Sequence, residues 1–302
     1  MTPPSVRVLL TTFNGQLWLP EQLASLEAQE GVRLSVVVSD DLSTDGTLDI
    51  LAEAGRRMDL QVLPTTTQRF GNANRNFLRL IREAPLDDAQ YVALADQDDV
   101  WLPRKLARAV ETLQATGAMA YSADVTAFWP DGREVTLRKA GAQRRYDYLF
   151  ESAGPGCTFV IRRDTFLALR AWVDAEFDRL QHVKVHDWLI YARARTQGWP
   201  WIIDTQPTMR YRQHGRNEVG ANAGLRAAWS RLRELRQGIY LRHAREIGAA
   251  VDDRTKITAA LRRMGWRDRL TLTINARQCR RSFAEACVLA VMLWTMPAAA
   301  KR

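Results

Sequence analysis

The chain has 302 residues, 46% of them hydrophobic and 25% charged, which points to a globular protein with a sizeable core and excludes a disordered or fibrous one. Three cysteines, Cys157, Cys279 and Cys287, show neither metal-site spacing nor the density of a disulfide scaffold, a pattern that fits a reducing cytoplasm. The net charge of +9 is uneven, because residues 226–302 hold 17 Lys/Arg against 6 Asp/Glu and residues 1–225 hold 26 against 28.

The opening MTPPSVRVLL has no basic stretch followed by a long apolar run, so no signal peptide is expected. Val6–Thr12 is a short β-branched run closed by Asn14-Gly15 and reads as a buried strand. Trp18–Gln29 reads as a helix, with Leu17, Leu23 and Leu26 at helical spacing and Pro20 in the first turn. Leu34–Ser39 is a second buried strand, followed by Asp40-Asp41 and a helix over Thr47–Arg57 that Ser43 or Asp45 can cap. Leu60–Leu63 is a weak third strand, Asn72–Glu83 a helix with Phe77, Leu80 and Ile81 inward, Tyr91–Ala95 a fourth strand, and Pro103–Thr116 a helix. Strands alternating with helices imply right-handed βαβ units and a mostly parallel, Rossmann-like central sheet. Further on, Ala118–Trp129 and Cys157–Ile161 read as strands, His186–Gln197 as a helix, and residues 222–281 as helical and Arg-rich.

Ligands of open α/β sheets bind beyond the carboxyl ends of strands, and here those ends carry acids. Residues 95–102, ADQDDVWL, place Asp96, Asp98 and Asp99 directly after an apolar run. Like charges at that spacing repel and resist burial. An Asp-x-Asp pair at a strand end offers two hard oxygen ligands for Mg²⁺ or Mn²⁺, with a nucleoside diphosphate as the natural further ligand. The plainer alternative is a solvated acidic turn that favours the start of the next helix. A third is the nucleophile loop of haloacid-dehalogenase-like phosphatases, which Asp-x-Asp-x-Val resembles, although there the loop follows the first strand. In SDDLSTDGT, Ser43 and Asp45 suffice for capping, which leaves Asp40 and Asp41 as surplus acids able to bind a base imide or a ribose hydroxyl.

Taken in order, LLTTFNG, SDDLSTDGT, ADQDDVW, HDW and RYRQHGRN resemble glycosyltransferase family 2 over about residues 5–220. Within that family, DQDDVW with YRQHGRN is most similar to bacterial rhamnosyltransferases. The resemblance implies an α/β GT-A domain over residues 1–221, with a nucleotide-sugar half at about 1–117 and an acceptor half at about 118–221. Residues 222–302 would form a basic helical extension. It implies a metal-dependent inverting transferase with Mg²⁺ or Mn²⁺ as cofactor. The donor would be a dTDP- or UDP-sugar, with L-rhamnose from dTDP-rhamnose the named candidate. The acceptor would be a bacterial surface glycan or its lipid-linked precursor. Asp187 would be the catalytic base. Asp98 and His214 would meet the metal. Thr12, Asn14, Asp40, Asp41, Asn76, Asp96 and Arg212 would bind the donor, with Asp41 and Asp40 at the uracil or thymine base and Asp96 facing ribose or metal. Where the family more often has Glu-Asp, this chain has His186-Asp187. An inverting transfer needs one base for the acceptor hydroxyl and a cation for the leaving diphosphate, and these residue types supply both. A non-catalytic nucleotide-sugar-binding protein of the same fold is the alternative from another class.

The basic tail leads to a separate expectation. Ala286–Met296 is 11 residues without charge, about 17 Å as a helix and too short to cross a bilayer. Apolar and aromatic residues beside arginines suit peripheral contact with an anionic membrane, on the cytoplasmic face of the inner membrane. A packing helix with a solvated basic face is the plainer reading, and no nucleic-acid partner is expected.

Overall fold

A computed structural model describes residues 2–214 and 239–295. They form two compact units: residues 2–140, 154–187 and 198–214, and residues 141–153, 188–197 and 239–295. The expected boundary at 221 lies outside the described residues, and two internal segments, 141–153 and 188–197, join the C-terminal helices.

In the first unit, β1 (Ser5–Thr12), β2 (Arg33–Asp40), β3 (Leu60–Val62), β4 (Tyr91–Ala95), β6 (Ala120–Ala123), β9 (Val160–Arg162) and β10 (Trp201–Asp204) make a seven-stranded sheet of order β10-β6-β9-β4-β1-β2-β3. All neighbours are parallel except β9, which runs antiparallel to both β4 and β6. The eight residues of β1 are all buried, as a strand covered on both faces requires. Helices α1 (Leu19–Glu27), α2 (Thr47–Ala54) and α4 (Lys105–Thr116) supply Leu19, Leu23, Leu26, Leu51, Leu106 and Val110 to a core that includes Val6, Val8, Leu10 and Val38. Helix α3 (Ala73–Glu83) packs on β1, β2 and α5 (Arg163–Ala175), burying Phe77, Leu80 and Ile81 completely. Each such side chain contributes about 1.5–3 kcal/mol. A second sheet has the order β5-β11-β7-β8, from Val100–Trp101, Met209–Arg212, Val125–Phe128 and Glu134–Leu137.

Several sequence expectations are corrected. Leu17 is 74% exposed and lies before α1; Leu19 takes the inward position instead. Asp45, not Ser43, serves the start of α2, its carboxylate accepting from the Thr47 N–H at 3.0 Å. The strand expected over Ala118–Trp129 is two strands in two sheets, because buried Asp124 interrupts it. The Asp124 carboxylate accepts from Lys139 and Ala140 N–H at 2.6 and 2.7 Å, and the Asp124 N–H donates to the Asp204 carbonyl. Residues Gly156–Thr158 are a 3₁₀ turn, so the strand expected from Cys157 starts only at Val160.

In the second unit, helices Ile239–Ala250, Lys256–Arg263, Trp266–Ile274 and Phe283–Thr295 bury Leu241, Ile247, Ile257, Leu261, Leu272 and Leu293. The helical expectation for 222–281 is met over its described part, in separate short helices; its first residues lie outside the described ones. No helix among the described residues is long and apolar enough to cross a membrane.

Candidate functional site

The carboxyl ends of β1 and β2 are tied together by side chains. Asp40 accepts from Thr12 Oγ1 at 2.7 Å and from the Ser43 N–H and Oγ at 2.7 and 2.6 Å. Asn14 sits in the left-handed region, φ 46°; its N–H donates to Ser43 Oγ and its Oδ1 accepts from the Thr44 N–H, both at 2.8 Å. Leu42, between these anchors, is held at φ 60°, a strained conformation for a branched side chain that the bonds around it enforce. Asp41 is bound by the chain before α3: the Phe70 and Gly71 N–H groups donate to its two oxygens at 2.5 and 2.9 Å. The Arg69 guanidinium lies 3.8 Å from the centre of the Phe13 ring.

The Asp96–Asp99 loop follows β4. Gln97 pairs with the backbone of Phe13 like a strand neighbour, accepting from its N–H at 2.8 Å and donating to its carbonyl at 3.0 Å. This approach requires glycine at 15, where a Cβ would lie 2.3 Å from Gln97 Oε1. Asp98 Oδ2 is 2.7 Å from His214 Nε2, and the His214 ring stacks on Trp18 with centroids 3.9 Å apart. Arg212 ties the loop from behind: its Nε donates to the Asp98 carbonyl at 2.8 Å and its N–H to Asp99 Oδ1 at 3.2 Å.

Asp99 is fully buried. Burial, then the charges of Asp98 and Asp96, push its carboxyl well above the usual range. Lys105 is buried beneath, its Nζ 3.4 Å from the centre of the Trp101 ring. Burial pulls its ammonium down to about 7, against the opposing pull of Cys157 and Asp99.

Asp187 enters on the first turn of α7 (His186–Thr196), which follows the short α6 (Phe177–Leu180). Beside it, His186 stacks on Phe77 at 4.0 Å between centroids, and its Nε2 would lie 2.4 Å from a Cβ at Gly156. Glycine in the Gly154-Pro155-Gly156 turn is therefore what lets α7 begin here. Burial pulls the His186 imidazole down to about 3, so it is neutral at physiological pH.

These elements enclose one cavity of about 580 Å³. Asp41, Asp96, Asp98, Asp187 and His214 line it, as do Thr12, Asn14 and Asn76. Two residues named from the sequence do not. Asp40 is spent on Thr12 and Ser43, and the Arg212 guanidinium turns to Glu21 and to the Phe128 ring, 4.6 Å from its centroid. Phe13, Trp18, Gln97, Lys184, His186 and Tyr211 also line the cavity and were not named as site residues. Phe13 and Trp18 flank the strand-end Asn-Gly, the signal that could have found them.

The residues present fit a divalent cation. Two carboxylates and an imidazole on one cavity wall are a hard oxygen and nitrogen donor set. Among the described residues, Asp96, Asp99 and Cys157 are the group whose ligand atoms all lie within 4.8 Å of one another. Asp99 and Cys157, however, are completely buried, and burial pushes both well above their ordinary ranges. Burial thus disfavours the charged form that a metal ligand takes, and the cavity-facing set is preferred.

The Glycosyl transferase family 2 model matches residues 7–170. The dTDP-rhamnosyl transferase RfbG of Shigella flexneri is 37% identical over 286 residues, covering 94% of this chain and 98% of the relative. Among solved structures, S. aureus TarS 1-349 in complex with UDP aligns with TM-score 0.57 at 16% identity, over 96% of this chain and 89% of that one. Mannosyltransferase PcManGT from Pyrobaculum calidifontis, in complex with GDP-Man and Mn2+, aligns with TM-score 0.52 at 18% identity, over 97% and 85%. The structural likenesses show the fold, which is GT-A. With the family match, the phosphatase reading of the Asp96 loop falls away.

Proposed function

Since the chain belongs to glycosyltransferase family 2 and is a nucleotide-sugar-dependent glycosyltransferase, we propose that its donor is dTDP-L-rhamnose and that it transfers rhamnose with inversion. The acceptor is a hydroxyl of a bacterial surface glycan or its lipid-linked precursor, met at the cytoplasmic face of the inner membrane. The observation that carries the reading is the convergence of Asp41, Asp96, Asp98, Asp187 and His214 on one cavity. Similarity to the rhamnosyl transferase over nearly the whole chain supports the choice of sugar.

Residues 1–117 would hold the nucleotide and residues 118–221 the acceptor. Asp41 would face the base, and the Phe13 ring, which lines the same cavity and carries Arg69 on one face, offers its other face for a base to stack on. Asp98 and His214, with Asp96, would hold Mg²⁺ or Mn²⁺, which when bound neutralises the diphosphate as it leaves. Asp187 takes the proton of the acceptor hydroxyl while that oxygen bonds to the anomeric carbon, opposite the breaking bond to the diphosphate. One bond forms and one breaks, the electron pair leaves with the diphosphate, and no covalent enzyme intermediate is needed. His186, neutral and packed on Phe77, keeps Asp187 at the start of α7.

The test is release of nucleoside diphosphate from a panel of dTDP-, UDP- and GDP-sugars with Mn²⁺ and a rhamnose-accepting glycan. Turnover with dTDP-rhamnose well above the others supports the proposal, whereas preference for another donor overturns the sugar assignment and leaves the family intact.

A further inference from the structure

The second unit presents an apolar face that the transfer reaction does not use. Thirteen large apolar side chains are exposed among the described residues, and seven of them lie on two helices, Trp266–Ile274 and Phe283–Thr295. The other six are scattered singly over the first unit, which needs no explanation.

On the first helix Trp266, Leu270 and Ile274 repeat every four residues and form one outward stripe, with Ile274 72% exposed. On the second, Val288, Val291 and Trp294 point outward at helical spacing, Val291 being 64% exposed, while Ala286, Leu289, Met292 and Leu293 face inward. That helix is apolar on both sides, a pattern that calls for cover on both. The two stripes belong to one surface. Trp294 Nε1 donates to Thr273 Oγ1 at 2.9 Å, and buried Arg269 donates to the Leu293 carbonyl at 2.8 Å.

What rims this surface identifies its partner. Residues 239–295 carry 11 Lys/Arg and 5 Asp/Glu. The only acids on the two helices are engaged by arginines, Asp268 by Arg263 at 2.6 Å and Glu285 by Arg280. Arg267 lies 5.2 Å from the Trp266 ring and Arg277 5.8 Å from the Phe283 ring. Aromatic side chains at the ends of the two apolar helices, with arginines beside two of them, match the layered chemistry of a bilayer surface: acyl chain, carbonyl belt, anionic headgroup. A second copy of this chain would bring the same cationic rim against itself.

We propose that this face docks the enzyme on an anionic bilayer surface. The claim rests on the membrane part of the functional reading and not on donor or sugar, so vesicle binding can fail while transfer stands.

The test is co-sedimentation of the full chain with vesicles of phosphatidylcholine alone or mixed with phosphatidylglycerol, together with vesicles carrying brominated acyl chains. Expected is binding to the anionic vesicles only, weakened by salt, with quenching of tryptophan fluorescence. Val291→Asp and Ile274→Asp should each lower partitioning about tenfold or more. Both should leave donor turnover and the thermal midpoint unchanged. Trp266→Phe with Trp294→Phe keeps the apolar surface, so it should bind like the wild type while losing most of the quenching; this pair decides the matter if an Asp variant does not fold. The proposal is overturned by absence of anionic-vesicle binding, by folded Asp variants that bind as the wild type does, or by a Trp266→Phe/Trp294→Phe variant that keeps the full quenching. A lipid-free dimer that Val291→Asp dissociates would assign the face to a second copy. A large fall in the thermal midpoint of Val291→Asp would show the face covered by the chain itself.

Discussion

Two groups of acids in this molecule, one buried and one at a cavity wall, are handled in opposite ways. In the second unit Asp147 is completely buried and meets two cations and a hydroxyl donor: Arg195 Nη1 at 2.6 Å, Arg281 Nη1 at 3.1 Å, and the Tyr191 hydroxyl at 3.1 Å. Glu151 nearby meets Arg281 at 3.2 Å and Arg280 at 3.7 Å. That cluster carries its own neutralisation. In the first unit Asp96, Asp98 and Asp99 have His214 on one side, Arg212 bonded mostly through the backbone, and a Lys105 whose charge burial disfavours. The lesson is electrostatic: acids matched by arginine in the interior hold a fold together, and acids gathered at a cavity wall are suited to recruiting a cation.

The comparison can be broken at four places. The largest effect is expected at Asp187. Replacing it with Asn removes the proton acceptor, so transfer should fall about 10²–10⁴-fold while donor affinity measured by calorimetry stays within a few-fold; a loss below tenfold would move the base elsewhere. Next, Asp98→Asn should lower transfer about 10²–10³-fold without shifting the thermal midpoint. Full turnover in this variant and in chelator-treated wild type would contradict the metal reading.

Asp147→Ala should behave in the reverse sense. It strands Arg195 and Arg281 in the interior, and the stability loss is expected at about 3–5 kcal/mol, read as a lower denaturant midpoint. An unchanged midpoint would show that the cluster is not structural. The smallest effect concerns His186. Its pKa is pulled from 6.5 to about 3 in the fold, so between those values the unfolded chain binds the proton and the native chain does not. Stability is therefore full above pH 6.5 and lost as pH falls below it, about 1 kcal/mol between pH 6.5 and 5.5. His186→Gln should flatten that part of the profile.

Legibility from sequence follows the same physics. Strands β1, β2 and β4 could be read because continuous apolar runs bounded by acids and Asn-Gly have few alternatives. Helix α5 and the short strands β5, β8, β10 and β11 could not, since two- to four-residue strands are defined by their partners in the sheet. Site residue types at strand ends were readable; side-chain directions were not. Asp40 and Asp41 are adjacent and chemically identical, yet Thr12 and Ser43 claim the first while the second reaches the cavity. Arg212 ends β11 and His214 lies two residues beyond it, where strand alternation no longer sets direction; the arginine turns toward Glu21 and the imidazole meets Asp98. The apolar face at Trp266–Ile274 and Phe283–Thr295 was half visible, as an uncharged run; that the described residues leave its outward side uncovered is a fact of packing.

The central claim is that the cavity acids hold a divalent cation that in turn holds the donor diphosphate. It is tested most directly by calorimetric titration of dTDP-rhamnose into wild type and Asp98→Asn, each with Mn²⁺ and with chelator. The account predicts binding by the wild type with Mn²⁺ that weakens about tenfold or more on chelation, and weak, metal-insensitive binding by Asp98→Asn. Equal affinity in all four titrations would contradict it.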